Sequence, residues 1–438
     1  MSNKVFNITD FGARVCDRLQ TEAIQSALDA CFLAGGGKVV IPKGRFLTGG
    51  LRLRSNTTLY LEAGAILRGS RNHNDYSAYL DDKIEPIDKD FVHPTLKGGS
   101  HPFSKWNNGL IKVVNAKNVS IIGEAGSFID GVDCYDPNGE GKMRGPHLIN
   151  IYNSENLYFE GYTVIDSANW AHNIYDSSNI TARGITVLGG HDGFDVRSCD
   201  NILIENSEFR TGDDCIAGFD NKNVVIRNCI LDCACSALRF GGTDVLIENC
   251  HGIAPSSYGV RGWLTQEEKE YSLPTGEHCR HTMHTPFQYY CDFRANIRYA
   301  PGNIVIKNCK FENPNAIFIH MFDGEHIWCC NRALNSITFE DCSITDLRDV
   351  GVLCADKDEP LDFRLKNVKI TASEAAADLP ILEAKNCKHI EFDNVTVEGY
   401  KNPRIVSDRM DTVIIKGGTT ISVVEMEDFQ FSNPYVKM

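Results

Sequence analysis

The sequence predicts an all-β protein wound as a parallel β-helix, and three observations carry the prediction. A strand-like motif recurs every 21–23 residues. The gaps between copies hold turn residues and leave no room for a helix of ten or more residues. One segment near the start has the pattern of a helix that closes the open end of a solenoid.

The motif is an Asn or Asp, an alternating apolar run, then a closing Asn, Asp or Gly. It stands as Asn156-Leu-Tyr-Phe-Glu-Gly161, Asn179-Ile-Thr-Ala-Arg-Gly184, Asn201-Ile-Leu-Ile-Glu-Asn206, Asn223-Val-Val-Ile-Arg-Asn228 and Asp244-Val-Leu-Ile-Glu-Asn249. Weaker copies begin at Asn118, Asn303, Ser336 and His389. Each run alternates with period two and is rich in Val, Ile and Phe, which is the strand signal. Gly, Asn, Asp and Ser mark the turns. The Leu-x-x-Leu-x-Leu framework of a leucine-rich repeat is absent, and an antiparallel sandwich would not hold one register so steadily.

Two ladders follow from that register. Cys229, Cys250, Cys309 and Cys342 each follow the residue that closes a run. Stacked one coil apart, they act as small inward hydrophobes. Asn228, Asn249 and Asn308 precede three of them and form a second ladder at the turns. At the N-terminal end, residues 21–33 place Ile24, Ala27, Leu28 and Cys31 on one helical face, a capping helix. The whole chain, 1–438, reads as one solenoid domain with long insertions at about 71–108 and 253–300. Long loops in such a scaffold usually line the binding face.

Composition narrows the function. The 438 residues carry 44 Lys+Arg against 58 Asp+Glu, a net charge of −14. That balance argues against a dedicated nucleic-acid or anionic-membrane binder. No apolar stretch reaches the roughly 18–20 residues of a membrane span. The first residues lack the apolar core of a secretory signal. Seventeen cysteines is an odd count in a chain long enough to need no staples, so reduced thiols and a cytoplasmic location are expected.

The densest chemistry lies in Gly190-His191-Asp192-Gly193 and Thr211-Gly212-Asp213-Asp214. Asp192 precedes Asp213 by 21 positions and Asp214 by 22, about one coil, so the carboxylates occupy equivalent places on neighbouring turns. Such a set repels itself, and one member is expected to hold a proton near neutrality. Glycoside hydrolysis needs this set: one carboxylic acid protonates the leaving oxygen while a carboxylate activates water. Asp beside Gly is also a common turn former, but two motifs in register, one with adjacent aspartates, exceed that role.

With these residues in view, the chain resembles the pectin-degrading polygalacturonase family of glycoside hydrolases, family 28. Further matching segments are Asp10-Phe-Gly-Ala13, Gly35-Gly-Gly-Lys38, Ile129-Asp-Gly131, Arg144-Gly-Pro146 and Ser167-Ala-Asn-Trp170. The resemblance implies a single-stranded right-handed parallel β-helix and an inverting mechanism, with Asp213 as general acid and Asp192 and Asp214 activating water. No cofactor and no metal is expected, and the resemblance implies an acidic oligosaccharide or polysaccharide as partner. The family's Asn-Thr-Asp motif survives only as Asp192. Its His-Gly aligns with Cys235-Ser236, and its Arg-Ile-Lys motif is not recognisable, with Arg261 alone near the right place.

Substrate contacts must then come from other residues. Arg239 can hold a carboxylate with its guanidinium fork, although a surface ion pair is an equal alternative. His172 and His191 are alternative substitutes for the missing His. Trp170, Tyr290, Arg294 and Arg298 are candidates for sugar platforms and acid contacts. The run His278-Cys-Arg-His-Thr-Met-His284 lacks paired zinc spacing and reads as a His-rich lid loop. Two other readings stay open: a polysaccharide lyase, which needs an Arg or Lys base and usually Ca²⁺, and a non-catalytic carbohydrate-binding β-helix.

Overall fold

The computed structural model describes residues 4–76, 108–260, 280–291, 297–322, 332–359 and 361–437. The fold is the expected right-handed parallel β-helix. The described residues form two compact units. The first comprises residues 4–76, 108–212 and 258–260, and the second residues 213–257 and those from 280 onward. No helix among them is long and apolar enough to cross a membrane.

In the first unit each coil is built from three short strands. His147–Tyr152, Glu155–Glu160 and Thr163–Ile165 make one coil; His172–Tyr175, Ser178–Arg183 and Thr186–Gly189 make the next. They pair in parallel, with Ile149 opposite His172, Leu157 opposite Ile180 and Val164 opposite Val187. The following coil keeps the register, with Ile202 on Ile180 and Phe209 on Val187. Alternation supplies the reason: Leu157, Phe159, Ile180, Ala182, Ile202 and Ile204 all point inward and are buried. The helix forms as expected at Thr21–Leu33, and its buried residues are Ile24, Ala27, Leu28 and Cys31.

The turns show why Asn opens so many motifs. Asn56, Asn118, Asn156, Asn179 and Asn201 all hold a left-handed backbone with φ between 56° and 63°, a region Asn tolerates far better than branched residues. From Asn118 on, each side-chain amide donates to the Oδ1 of the Asn one coil below, at 2.9–3.0 Å.

The second unit has its own ladders. Asn249 donates to Asn228 and Asn308 to Asn249. Beside them Cys229, Cys250, Cys309 and Cys342 are stacked and buried, each thiol donating to the backbone carbonyl two residues back. The Cys309 thiol is pushed up to about 12, first by its contact with Cys250. It therefore stays protonated and acts as packing. One expectation changes here. The insertion at 253–300 is not loop throughout, because Thr285–Tyr289 is a buried strand pairing with Ser236–Glu248, with Leu238 opposite Phe287. Pro286 in that run disguised it, since proline within a run argues against a strand.

Buried histidines give the fold a pH limit. His172 is lowered to about 4 by burial, His320 to about 3 by burial, and His284 to about 2 by burial and then Arg280. Each stays neutral in the fold while the unfolded chain takes up a proton near pH 6.5. A depressed histidine pKa means stability is present above pH 6.5 and lost as pH falls toward the folded value. Each histidine is expected to remove about 2 kcal/mol between pH 7 and pH 5. Urea midpoints at the two pH values test this, and equal midpoints would contradict it.

Candidate active site

The first unit carries Asp192 in a buried polar setting. Asp192 is 4% exposed and its carbonyl accepts the Ala171 N–H at 2.9 Å, which fixes it beside Trp170. His191 is buried, with Nε2 3.9 Å from Asp133 Oδ1. The Trp170 face is covered by Arg197, whose guanidinium carbon lies 4.1 Å from the ring centroid. Arg197 also donates to Tyr175 Oη and lies 3.4 Å from Asp195 Oδ1. The cation is thus buried with a carboxylate partner and two aromatic faces.

Trp170 is therefore a buried wall rather than an open sugar platform. His172 also departs from its expected role. Its Nε2 pairs with Tyr162 Oη at 2.8 Å, its Nδ1 with Gly193 O at 3.0 Å, and its ring stacks on Phe194. The reason is alternation: His172 shares its register position with Ile149 and Phe194, which face the core. A second acid pair went unnoticed in the sequence. Asp166 is raised to about 6, by burial and then by Asp130.

The second unit carries Asp213 and Asp214. Gly212, just before them, is required by space: a Cβ there would run into the Gly259 carbonyl oxygen and come within 2.7 Å of Gly190 O. Asp213 is half-buried and Asp214 is 2% exposed. Asp214 Oδ1 accepts the Ser236 backbone N–H at 2.9 Å, and its Oδ2 lies 3.9 Å from Arg239 Nη1. Both contacts favour the ionised carboxylate.

Arg239 is held in turn by Tyr290, its guanidinium carbon 3.7 Å from the ring centroid. Tyr290 meets Phe219 edge-on at 5.6 Å. Gly241 permits this approach, because a Cβ there would collide with the Tyr290 carbonyl oxygen. The structure thus joins Asp213, Asp214, Arg239 and Tyr290 from the expected residues. Arg239 is neither an isolated surface residue nor a distant one.

Arg298 has a different task from the one expected. It donates from Nε to Asp220 Oδ2 and from Nη2 to Asp220 O, both at 2.8 Å, clamping a buried carboxylate whose backbone is left-handed. The His-rich run is not a lid along its described part: Met283 and His284 are buried, and His284 stacks on Tyr435. Arg261 and Arg294, with His278 and Cys279, lie outside the described residues.

Three ligand atoms, from Asp213, Asp214 and Cys235, lie within 4.8 Å of one another. The Cys235 thiol is raised by burial first and then by Asp214 and Asp213. The residues that sequence reasoning missed here are Tyr435, whose Oη lies 3.9 Å from Cys235 Sγ, and Arg280, which donates to Ala234 O.

Comparison with known proteins follows the same lines. Residues 38–236 match the model of the family described as glycosyl hydrolases family 28. A Vitis vinifera protein named "Probable polygalacturonase" is 30% identical over 248 residues, covering 50% of this chain and 48% of that one. The exopolygalacturonase of Oenothera organensis is 24% identical over 383 residues, covering 80% and 94%. This chain spans 48% of the Vitis vinifera relative and 41% of the exo-poly-alpha-D-galacturonosidase of Dickeya chrysanthemi. The structure of a Yersinia enterocolitica family 28 exopolygalacturonase superposes with a TM-score of 0.64 at 18% identity, over 98% of this chain and 79% of that one. That likeness shows the fold.

Proposed function

We propose that this chain, whose residues 38–236 match the glycosyl hydrolases family 28 model, is a member of that family and an inverting glycosidase that cleaves pectin-derived oligosaccharides. Asp213 is the general acid, and Asp192 and Asp214 activate the attacking water. The observation that carries this reading is the unequal setting of the adjacent aspartates. Asp214 is buried against a backbone N–H donor and a guanidinium, which suits a carboxylate that must stay ionised. Asp213 is half-buried beside it, where it can meet the glycosidic oxygen. Oxygens of Asp213 and Asp214 lie within 4.8 Å of one another, closer than the roughly 6.5–9.5 Å usual between acid and base in inverting enzymes, so the configuration of the first product decides the stereochemistry.

The family's His-Gly is replaced by Cys235-Ser236, and Arg239 supplies a cation 3.9 Å from Asp214 Oδ2. For an acidic sugar, the net charge of −14 means that recognition of the carboxylate must come from local guanidinium groups. The odd count of 17 cysteines in a long chain supports action in a reducing compartment such as the cytoplasm.

A panel of galacturonate and rhamnogalacturonan oligosaccharides, with the first-formed anomer followed by NMR, tests the proposal. The expected product has a new reducing end of opposite configuration to the cleaved bond. A retained configuration, or an unsaturated product absorbing in the ultraviolet and lost on chelation, would replace it with another chemistry.

A further inference from the structure

The last residues of the second unit do not simply end its final coil. After the strand Ser422–Glu425, the backbone turns back and crosses earlier coils in reverse order. Met426 N–H donates to Ser407 O. The Phe429 carbonyl accepts from Lys385 Nζ, and that ammonium sits 4.4 Å from the Phe429 ring centroid. Ser432 donates from both N–H and Oγ to the Glu383 carboxylate, each at 2.6 Å. Asn433 Nδ2 donates to Val350 O at 2.6 Å. Tyr435 then packs on Ala316 and Ile319, stacks on His284 with ring centroids 3.6 Å apart, and reaches Cys235.

The strand register shows that these contacts follow a path along the solenoid. Arg404–Asp408 pairs with Leu382–Lys385, which pairs with Gly351–Cys354, then Ile319–Met321, Thr285–Tyr289 and Ser236–Glu248. Five strand steps of about 4.8 Å carry the segment roughly 24 Å along the solenoid. It is pinned at successive coils and stops at the coil of Ser236, next to the one that holds Asp214.

We propose that Tyr435 is a positioning residue for the acid cluster, acting through the Cys235-Ser236 turn. The linkage is continuous. The Tyr435 ring holds the His284 ring; the His284 N–H donates to Cys235 O at 2.6 Å; the next N–H, from Ser236, donates to Asp214 Oδ1. The Tyr435 hydroxyl rests at 3.9 Å on Cys235 Sγ and helps keep that thiol only 5% exposed. Without the ring, the turn loses its outer support and the carboxylate its fixed donor. A displacement near 1 Å at a reacting group costs on the order of 10²-fold in rate.

This inference rests on the glycosidase reading for its kinetic part and on the fold alone for its seating part, so the experiment reads both. Tyr435→Ala and Tyr435→Phe are compared with the unaltered protein. Alkylation of Cys235 is mapped by mass spectrometry with no substrate present, and kcat and KM are measured on the cleaved oligosaccharide. Expected are protection of Cys235 in the unaltered protein and in Tyr435→Phe, and labelling in Tyr435→Ala. Turnover should fall about 10–100-fold in Tyr435→Ala with KM within about threefold, and recover in Tyr435→Phe. Unchanged labelling of Cys235 in Tyr435→Ala overturns the inference whatever the kinetics show. Labelling without loss of kcat overturns the positioning role. A protein inert toward every pectic substrate refutes the glycosidase reading instead, and the labelling result then decides the seating alone.

Discussion

Asp213→Asn is expected to lower kcat on the cleaved pectic oligosaccharide by about 10²–10⁴-fold, the usual contribution of a positioned general acid. The side chain keeps its size and loses the proton it must deliver to the leaving oxygen. Binding should survive, so KM should change little while kcat and kcat/KM fall together. A substrate with an activated leaving group should regain much of the lost rate, because it needs less proton assistance. Asp214→Asn should not show that rescue, since its role is to prepare water rather than to protonate the leaving group. Full turnover in Asp213→Asn would move the acid role to another residue.

Arg239→Met is expected to cost both stability and rate. Arg239 pairs with the buried Asp214 at 3.9 Å and lies 3.7 Å over Tyr290. Removing one partner of a buried pair leaves the other charge without compensation, at about 3 kcal/mol, and the ring loses its cation as well. Turnover should drop about 10²-fold, because the carboxylate meant to stay ionised loses a neighbouring cation. Arg239→Lys should recover little, since an ammonium cannot both stack flat on Tyr290 and reach Asp214. Unfolding midpoints together with kcat measure the two effects. A variant that loses stability but keeps turnover would make Arg239 a purely structural residue.

Much of the fold was legible from local pattern. Residues spaced 21–23 apart in the motif stand opposite one another in the observed register, as Leu157, Ile180 and Ile202 do. The capping helix and its buried face matched residue by residue. The cysteine ladder and the turn asparagines also appeared where alternation placed them. Less of the site was legible. Arg239 was singled out as a guanidinium able to hold a substrate carboxylate, and it stands 3.9 Å from Asp214 Oδ2. His172 and Arg298 were recognised as chemically capable residues, but their partners, Tyr162 and Asp220, lie 10 and 78 positions away with no periodic relation to them. Thr285–Tyr289 was hidden by Pro286 and by the long insertion that displaced it from the repeat.

What the amino-acid sequence determined alone was the repeat and therefore the register. Period-two alternation decides which side chains enter the core, and a spacing near one coil decides which residues stand in equivalent places on successive turns. Both are local properties, set by strand geometry and turn chemistry. The tertiary structure alone decided which polar groups are satisfied by the protein and which are left to act. It turned His172 into a core residue, gave Arg298 to Asp220, and brought Tyr435 to Cys235 across 200 positions of sequence. No periodicity specifies that last contact. It exists because the final segment finds donors, acceptors and an aromatic face along the outside of coils that are already stacked.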